Sequence, residues 1–410
     1  MSLYGTMRTG VSGMNAQANR LGTVADNIAN ASTTGYKRAS TEFSSMILPS
    51  GGGTYNSGGV TTSVRYAVSE SGVPVNTSSN SDLAIDGNGF FIVSDVNGGN
   101  FLTRAGAFTK NGAGELINSG GFALMGYKYV AGAEPTMVVN SFDGMEKINV
   151  GGLAARIIPT TTGVMDPNLP ANGVPGSVQK SSLSVYDSQG NTRILDFTYT
   201  KDNSATPAAN TWTLSIVDRK TGTKLEGETP LTLTFDTNGK LEKKGNFTGV
   251  IKTKEVVAGG VVLGAMELNI SNTTQDSRDF TASKGDQNGQ PPSKAVDFSI
   301  DKDGIVFITY ERGSPVPTYR LALADVPSPD QLTPLAANVY QQGPESGVIT
   351  TSFANSGSYG KILSKTLEGS NVDMASELTI MIESQRSYTA NSKVFQTGAD
   401  LMDVLVNLKR

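Results

Sequence analysis

Both ends of the chain carry an apolar repeat with the spacing of packed helices, and this limits the possible folds more than any other feature. From residue 3 to residue 28, apolar residues recur three and four positions apart, with a heptad spacing from Val11 onward. Near the C-terminus, an apolar or aromatic residue recurs every seven positions, at Met374, Met381, Tyr388, Phe395 and Met402. Such side chains share one face of an α-helix. The pattern therefore predicts helices over 1–30 and 372–408.

These two helices need a partner surface. Glycines at 5, 10, 13 and 22 weaken the first helix by up to about 1 kcal/mol each relative to alanine. The helices either pack on a globular core or form a separate two-helix module used for assembly, and heptads favour the second. We predict a polymerisation interface formed by the large apolar residues of both repeats: Leu3, Met7, Val11, Met14, Leu21, Ile28, Leu378, Met381, Ile382, Tyr388, Phe395, Met402 and Leu405.

Polar residues mark the ends of both predicted helices. In the stretch NIANASTTGYKR (27–38), we interpret Asn27 and Asn30 as amide caps and Gly35 as the residue that frees the backbone after the helix. A second predicted seam position on the last helix, at Leu378 and every seventh residue to 406, is partly polar. Asn371 is the predicted N-cap of that helix.

Between the helices, the sequence predicts polar connections and many short strands. Residues 31–80 are turn-rich and typical of a linker, although VTTSVRYAV (60–68) alternates like an extended arm or strand. Strand patterns parted by glycine turns fill 81–350, including two strands around the turn at 86–89 and hairpins at 182–200 and 297–310.

Clusters of proline and glycine at 163–176 and 285–292 bracket a middle β segment. The predicted fold class is therefore mixed and mainly β, with paired terminal helices and two nested β-rich domains, the outer one inserted in the inner one. We expect a helical assembly domain from 1–30 plus 371–410, a linker region from 31–74 plus 357–370, an inner β domain from 75–146 plus 289–356, and an inserted outer domain over 147–288.

Composition argues against an enzyme. The 410 residues include no histidine and no cysteine, which excludes Ser-His-Asp triads, Cys-His pairs and ordinary zinc sites, although a carboxylate-based enzyme stays open. The Asp301–Gly304 turn lacks the spacing of a calcium loop, and we expect no cofactor or metal. A net charge of −4 with scattered basic residues argues against nucleic acid. No apolar run is long enough to span a membrane, and no secretory signal is expected.

Three blocks of the sequence resemble a known family. The first, GVSGMNAQANRLGTVADNIANASTTGYKR, is similar to the signature of the bacterial flagellar axial proteins, with Asn27, Asn30, Gly35, Tyr36 and Lys37 at the motif positions. The second is SDLAIDGNGFFIVSD with the FLTRAGAF run that follows it, and the third is the C-terminal stretch with its Gln-Arg-x-Tyr-x-x-Asn centre at 385–391. The blocks cover roughly 1–40, 80–127 and 365–410, whereas 200–290 matches no recognised motif. SLSVYDSQGN (182–191) and the large inserted segment favour the hook branch over the shorter rod subunits.

This resemblance implies an extracellular structural subunit that polymerises into the curved tube of the flagellum between rod and filament, acting as a universal joint. It also implies export through the flagellar type III apparatus, assembly beneath a cap, and contacts with rod, hook cap and hook–filament junction proteins. The alternatives are a distal rod subunit or, in another class, a secreted β-rich adhesin or a carboxylate-based glycosidase.

Overall fold

A long helix lies at each end of the chain in the computed structural model, which describes residues 3–46, 58–130, 132–151, 155–203, 210–226, 230–243, 247–258, 260–282 and 285–408. Helix α1 spans Leu3–Ala29 and helix α2 spans Met374–Leu408. Both predicted helices are confirmed to within about two residues at each end of their described parts.

Short strands occupy most of the chain between the helices. The strands up to residue 147 are β1 Ala39–Met46, β2 Gly59–Tyr66, β3 Pro74–Asn76, β4 Leu83–Asp86, β5 Phe90–Ser94, β6 Asn100–Thr103, β7 Thr109–Lys110, β8 Leu116–Ile117, β9 Ala123–Lys128 and β10 Met145–Lys147. The next are β11 Arg156–Ile158, β12 Thr162–Val164, β13 Asn168–Pro170, β14 Val178–Tyr186, β15 Thr192–Lys201, β16 Thr211–Asp218, β17 Leu231–Thr234, β18 Val250–Lys252, β19 Val256–Ala258, β20 Val261–Leu263, β21 Glu267–Asn269, β22 Thr274–Asp276, β23 Asp286–Gln287 and β24 Gln290–Ser293. The last are β25 Ala295–Ile300, β26 Ile305–Tyr310, β27 Val316–Arg320, β28 Ala322–Asp325, β29 Thr333–Leu335, β30 Val339–Gln341, β31 Thr350–Phe353, β32 Lys361–Ser364 and β33 Thr366–Glu368, with 3-10 turns at Pro329–Gln331 and Ala336–Asn338. The fold class is confirmed as mainly β with a helix at each end.

The chain divides into two compact units. The first comprises Met1–Gly152, Asp297–Thr309 and Pro315–Arg410, and the second comprises Leu153–Val296 and Tyr310–Ser314, so the second is inserted in the sequence of the first. The first unit contains a large sheet whose main path runs from β26 through β27, β9, β5, β6 and β30 to β29. Its core includes Phe90, Ile92, Leu102, Ala324 and Tyr340, which are all buried.

The second unit has a core of its own. Strands β14, β15, β16 and β17 form an antiparallel sheet with Leu195, Phe197 and Trp212 fully buried. The alternating burial along β15 and β16 follows from their alternating apolar residues, since successive side chains of a strand point to opposite faces. The predicted hairpin at 182–200 is confirmed, because β14 pairs with β15 over its whole length.

At the glycine-rich turn at 86–89, the chain passes from one sheet to another instead of forming a hairpin. Both predicted strands exist, yet β4 pairs with β32 while β5 pairs with β6, β9 and β28. Gly87 and Gly89 have φ values of +115° and +116°, which residues other than glycine rarely adopt. A Cβ at Gly87 would also lie 2.8 Å from the Cα of Gly360. The turn signal was real, but the pairing partner of β4 comes from a distant part of the sequence.

Much of the predicted linker is ordered as a hairpin. β1 and β2 pair over eight residues each, from Ala39 opposite Tyr66 to Met46 opposite Gly59, and both contact α1. The linker interpretation is therefore wrong for 39–46, whereas the strand suggested for 60–68 is confirmed by β2. Most of the PSGGGTYNSGG stretch lies outside the described residues. Further along, β3 pairs with β33, so the two predicted connections run side by side at that point. In the described residues, no helix is long and apolar enough to cross a membrane.

Candidate functional site

The two terminal helices meet through small and polar residues. On α2, Glu377, Ser384, Asn391 and Gly398 follow one another at seven-residue intervals, and all except the half-buried Asn391 are buried. Asn391 lies against two glycines of α1: a Cβ at Gly13 would be 2.7 Å from Asn391 Nδ2. These glycines destabilise α1 as an isolated helix, but they allow α2 to approach it closely.

The opposite helix supplies a matching glycine. A Cβ at Gly398 would lie 2.7 Å from Met7 Cγ, so the α2 backbone packs directly on a methionine side chain. Arg20 Nη2 and Glu383 Oε2 form a flanking ion pair at 3.3 Å. The seam thus combines small and polar residues with the larger Met7 and Phe395, and the α1 glycines that weaken an isolated helix also allow this close packing.

Of the predicted interface residues on α2, Phe395 reaches this seam, since its Cβ would lie 3.7 Å from a Cβ at Gly10, yet most of the set stays exposed. Leu378, Ile382, Tyr388, Phe395 and Leu405 are between 37% and 53% exposed, while Met381 and Met402 are half-buried. Val394 and Val404, which the heptad spacing does not single out, are also exposed on this helix. Large exposed apolar patches on soluble proteins mark interaction surfaces, so these exposed side chains are candidates for one.

On α1, the predicted interface residues are partly covered by the rest of the chain. Met7, Met14, Leu21 and Ile28 are half-buried and Val11 is exposed, whereas the side chain of Leu3 lies outside the described residues. One chain therefore does not collect the two apolar repeats into a single buried seam. Their assembly role stays a prediction.

The other side of α1 is held to the β1–β2 hairpin by polar side chains. Ser12 Oγ accepts a hydrogen bond from Val60 N at 2.9 Å and donates one to Val60 O at 3.0 Å. Asn19 Nδ2 donates to Thr62 Oγ1 at 2.8 Å. A hairpin with few large apolar residues is thus anchored by hydrogen bonds, which is why its composition resembled that of a linker.

The motif residues lie together at the corner where α1 leads into β1. Asn27 is fully buried, and its Nδ2 donates to Ala39 O at 2.7 Å while its Oδ1 accepts from Ala39 N at 2.9 Å. Tyr36 Oη also donates to Asn27 Oδ1, at 3.2 Å. The interpretation of Asn27 as a helix cap is wrong, because its amide clamps the first residue of β1 instead. Asn30 does serve the helix end, since its Nδ2 donates to Asp26 O at 2.9 Å.

Gly35 fits the corner for two separate reasons. Its φ is +67°, and a Cβ there would lie 2.6 Å from the Ala105 nitrogen. Its own N–H donates to Glu368 O at 2.8 Å. Any side chain at this position would push the corner away from the β core, so the glycine is required by close approach as well as by backbone conformation.

A buried ionic cluster lies directly beside this corner. Lys37 Nζ is 2.6 Å from Glu368 Oε1, and Arg104 Nη1 is 3.4 Å from Glu368 Oε2. All three side chains are at most 5% exposed. Gly72 N also donates to Glu368 Oε1 at 2.9 Å. Lys37 donates to Glu70 O as well, and the Arg104 guanidinium lies 5.1 Å from the centre of the Phe90 ring.

Two cations share one carboxylate in this cluster. Burial lowers the pKa of Lys37, and the attraction to Glu368 opposes that shift. Burial likewise lowers the pKa of Arg104. The buried carboxylate of Glu368 is therefore the group that makes the two buried cations tolerable.

A second set of contacts fixes the start of α2. Arg38 Nε is 2.6 Å from Glu377 Oε1, and Arg38 N donates to Asn371 Oδ1 at 2.7 Å. Asn371 Nδ2 donates to Ala67 O at 3.0 Å, so Asn371 is not the N-cap that the sequence predicted. Asp373 caps the helix instead, since its Oδ1 accepts from Ala375 N at 2.9 Å.

Sequence patterns assign no role to Arg104 or Glu368, and they place Glu377 only near the start of the last helix, where an acidic group suits the helix dipole. Lys37 and Glu368 are 331 positions apart, and no local spacing connects them. The one hint available was the charge of Arg104 inside the mostly apolar run FLTRAGAF, because Lys37 and Glu368 lie among polar residues. At the Asp301–Gly304 turn, Asp301 Oδ1 accepts from the backbone N–H groups of Asp303 and Ile305, as in an ordinary tight turn. Within the described residues, no group of three acidic, histidine or cysteine side chains could hold a metal ion.

Comparison with known proteins gives matches along the whole chain. Residues 7–37 match the family model "Flagella basal body rod protein", and 84–164 match "Flagellar hook protein FlgE/F/G D1 domain". Residues 158–290 match "Flagellar basal body protein FlaE D2 domain", and 363–408 match "Flagellar basal body rod FlgEFG protein C-terminal". The third match covers the segment 200–290, in which the sequence analysis recognised no motif.

Several curated relatives match over their full length. The flagellar hook protein FlgE of Rhizobium meliloti is 57% identical, with 100% of both chains covered. That of Brucella abortus is 47% identical with the same coverage. That of Salmonella typhimurium is 31% identical over 97% of this chain and 98% of its own.

Proposed function

The chain belongs to the family of flagellar hook proteins, and from this premise we propose that it is the structural subunit of a hook. Many copies would form a curved helical tube that joins rod to filament and transmits torque as a universal joint. The names of the family and of its relatives describe a structural part of the flagellum and not an enzyme.

The observation that supports assembly through the termini is the apolar surface that α2 leaves uncovered. Complete burial of a large apolar side chain is worth about 1.5 to 3 kcal/mol. The five predicted residues that are about half exposed would each gain roughly 1 kcal/mol in a polymer, or about 5 kcal/mol per copy. The ordering of long helices offsets part of this gain, so assembly would be cooperative and concentration-dependent.

The corner bears on how the tube would bend. Residues 35–38 are held by buried ion pairs and by hydrogen bonds to 368, 371 and 377. We therefore propose that this corner is a stiff joint that carries force from the helices into the β core. Residues 35–38 lie within the predicted linker region of 31–74, so the proposed joint is stiffer than the composition of that segment indicates. The four-part division of the chain with its stated boundaries stays a proposal, as does the set of interface residues.

A distal rod subunit is the nearest alternative, because rod family models match both ends of the chain. The hook assignment is preferred because the relatives that match over full length are named hook proteins. Rod, hook cap and hook–filament junction proteins are the proposed partners. An extracellular location, and export by the flagellar type III apparatus without a cleaved signal, complete the proposal.

The test is electron microscopy of flagella from cells in which this chain is the sole candidate hook subunit. We expect short curved tubes between rod and filament. A chain lacking residues 1–30 should form no tubes, while the second unit keeps the buried fluorescence of Trp212. A rod-like straight structure, or tubes formed by the truncated chain, would contradict the proposal.

A further inference from the structure

A cavity of about 420 Å³, here named the corner pocket, opens beside the corner where α1 leads into β1. Its walls are the C-terminal end of α1, the segment that follows this helix, β2, and the hairpin of β29 and β30. The volume is in the range of sites that bind small organic groups. The polar lining includes Asp26, Asn30, Tyr36, Tyr66, Asn338 and Tyr340.

Tyr340 lines this pocket with a hydroxyl that has no partner. The side chain is only 4% exposed, and among the described residues no hydrogen bond reaches its Oη. Burial raises the pKa of Tyr340, and the neighbouring Glu368 and Tyr36 add to the shift. Since buried polar groups in native proteins are nearly always paired, this hydroxyl is a candidate contact for a ligand.

The end of α1 at the pocket carries negative charge without compensation. A helix has a partial negative charge at its C-terminal end, where basic residues are stabilising and acidic residues are not. The last turn of α1 contains no basic residue, yet it contains Asp26. Asp26 is exposed, and within the described ranges its carboxylate forms no ion pair or hydrogen bond. Such a local conflict with the helix dipole is typical of functional sites.

The nearby cations are engaged by other carboxylates. Lys37 Nζ binds Glu368 and the carbonyl of Glu70, and Arg38 pairs with Glu377. The charge of Asp26 therefore acts on the pocket itself. The raised pKa of Tyr36, due first to burial and then to Asp26, reflects this proximity.

The lining favours a cation that carries several hydrogen-bond donors. Its acceptors are the Asp26 carboxylate and the hydroxyl oxygens of three tyrosines, namely Tyr36, Tyr66 and Tyr340. Tyr36 already donates its proton to Asn27 Oδ1, so its oxygen can only accept a further bond. A guanidinium combines positive charge, five donors and a plane that stacks on aromatic rings. An anion would be repelled by Asp26 and by the negative end of α1.

The wall that carries Tyr340 is fixed before any ligand binds. Asn338 Nδ2 donates to Thr34 O at 3.1 Å, and Asn338 O accepts from Thr103 Oγ1 at 2.7 Å. Ala337 and Asn338 have φ values of +66° and +55°, which are uncommon for residues other than glycine. A wall held in this way lowers the entropy that binding must overcome.

We propose that the corner pocket binds a guanidinium group, which pairs with the Asp26 carboxylate and donates a hydrogen bond to the Tyr340 hydroxyl. The rings of Tyr36 and Tyr66 lie beside it. The natural ligand is an arginine side chain, supplied by another copy of the chain or by a different protein. The pocket belongs to the free chain, so this inference goes beyond the proposed function and does not depend on it.

The first test uses a blocked arginine, N-acetyl-L-arginine methylamide, as the probe. Ligand-observed saturation-transfer NMR follows its titration into the purified, unassembled full-length chain. We expect saturable binding in the millimolar range. The matching blocked citrulline has nearly the same shape without the charge and should bind about tenfold more weakly. Equal binding of the two probes would overturn the inference.

Substitutions then separate binding from stability. Tyr340→Phe removes a hydroxyl that has no partner in the free chain, so the thermal midpoint should not fall while binding weakens about fivefold. Asp26→Asn should weaken binding by up to about fivefold. The control Asp143→Asn changes an exposed acid of the first unit outside the pocket and should leave binding unchanged. If neither pocket variant weakens binding, the site is elsewhere and the inference fails.

Assembled hooks distinguish the two sources of the arginine. If another copy supplies it, the probe should bind the unassembled chain and not the hook. If a different protein supplies it, the probe should bind both. Absence of saturable binding to either form would overturn the inference and leave the proposed function standing. A chain that binds the probe yet builds no hooks would refute the proposed function alone.

Discussion

Replacing Glu368 with glutamine removes the one carboxylate that Lys37 and Arg104 share and leaves the shape of the side chain nearly unchanged. The three side chains are at most 5% exposed, so water cannot take over the role of the lost charge. Removal of one partner from a buried ion pair costs about 3 to 5 kcal/mol. We expect a loss of that size in the stability of the first unit. The pair of Lys361 with Asp86 is the matched control, since both side chains are about half exposed and Asp86→Asn should cost less than about 1 kcal/mol.

The assay is urea unfolding of the purified full-length chain, followed with two signals. Circular dichroism at 222 nm reports mainly on the helices, which belong to the first unit. The one tryptophan, Trp212, is buried in the second unit and reports on that unit by fluorescence. With an m-value of about 3 kcal/mol/M, the Glu368→Gln variant should lower the dichroism midpoint by about 1 to 1.7 M and leave the fluorescence midpoint unchanged.

A shift no larger than that of Asp86→Asn would refute the reasoning, because it would mean that the cluster is hydrated or dispensable. A shift of both signals together would mean that the two units unfold as one.

Three further predictions concern α1 and the corner. Gly22→Ala should stabilise the first unit by up to about 1 kcal/mol, because open space surrounds that position. Gly13→Leu should cost about 1 to 3 kcal/mol, because it forces the helices apart. Thermal melting followed by circular dichroism at 222 nm compares the two variants. Asn27→Ala should cost about 2 to 3 kcal/mol because it leaves the N–H and carbonyl of the first β1 residue without partners, and Asn30→Ala should cost less than about 1 kcal/mol; urea midpoints that rank the other way would contradict the clamp. Burial, with a smaller contribution from Asp26, raises the pKa of Tyr36 to about 12 from its ordinary 10.0. The stability that this group contributes is therefore present below pH 10 and lost between about pH 10 and 12. When urea midpoints are measured over that range, the Tyr36→Phe variant should lose less stability than the unmodified chain.

The sequence predicted those parts of the fold that depend on local periodicity. Apolar spacing located both helices, and alternation located hairpins such as β14–β15. The Asn27–Lys37 motif identified the corner before its geometry was known. In each case the information lies within a few turns of helix or one pair of strands.

What the sequence could not predict depends on contacts between distant residues. The apolar heptads of α2 predicted a polymerisation interface, which stays a prediction, but the face toward α1 depends mainly on glycines and on Asn391, whose packing reflects how closely two backbones approach. Glu368 lies among polar residues near the second connection and finds Lys37 only in the folded chain. The β1–β2 hairpin lacks the apolar face of a typical half-buried sheet because side chains of α1 hydrogen-bond to it.

The most direct test of the central claim is a helical reconstruction of the assembled tube by electron cryomicroscopy. The account predicts that the exposed apolar residues of α2, including Leu378, Phe395 and Leu405, become buried against neighbouring copies while the corner at residues 35–38 keeps its contacts with Glu368 and Glu377. A tube in which these α2 side chains remain in water, and in which copies contact each other only through the β units, would contradict it.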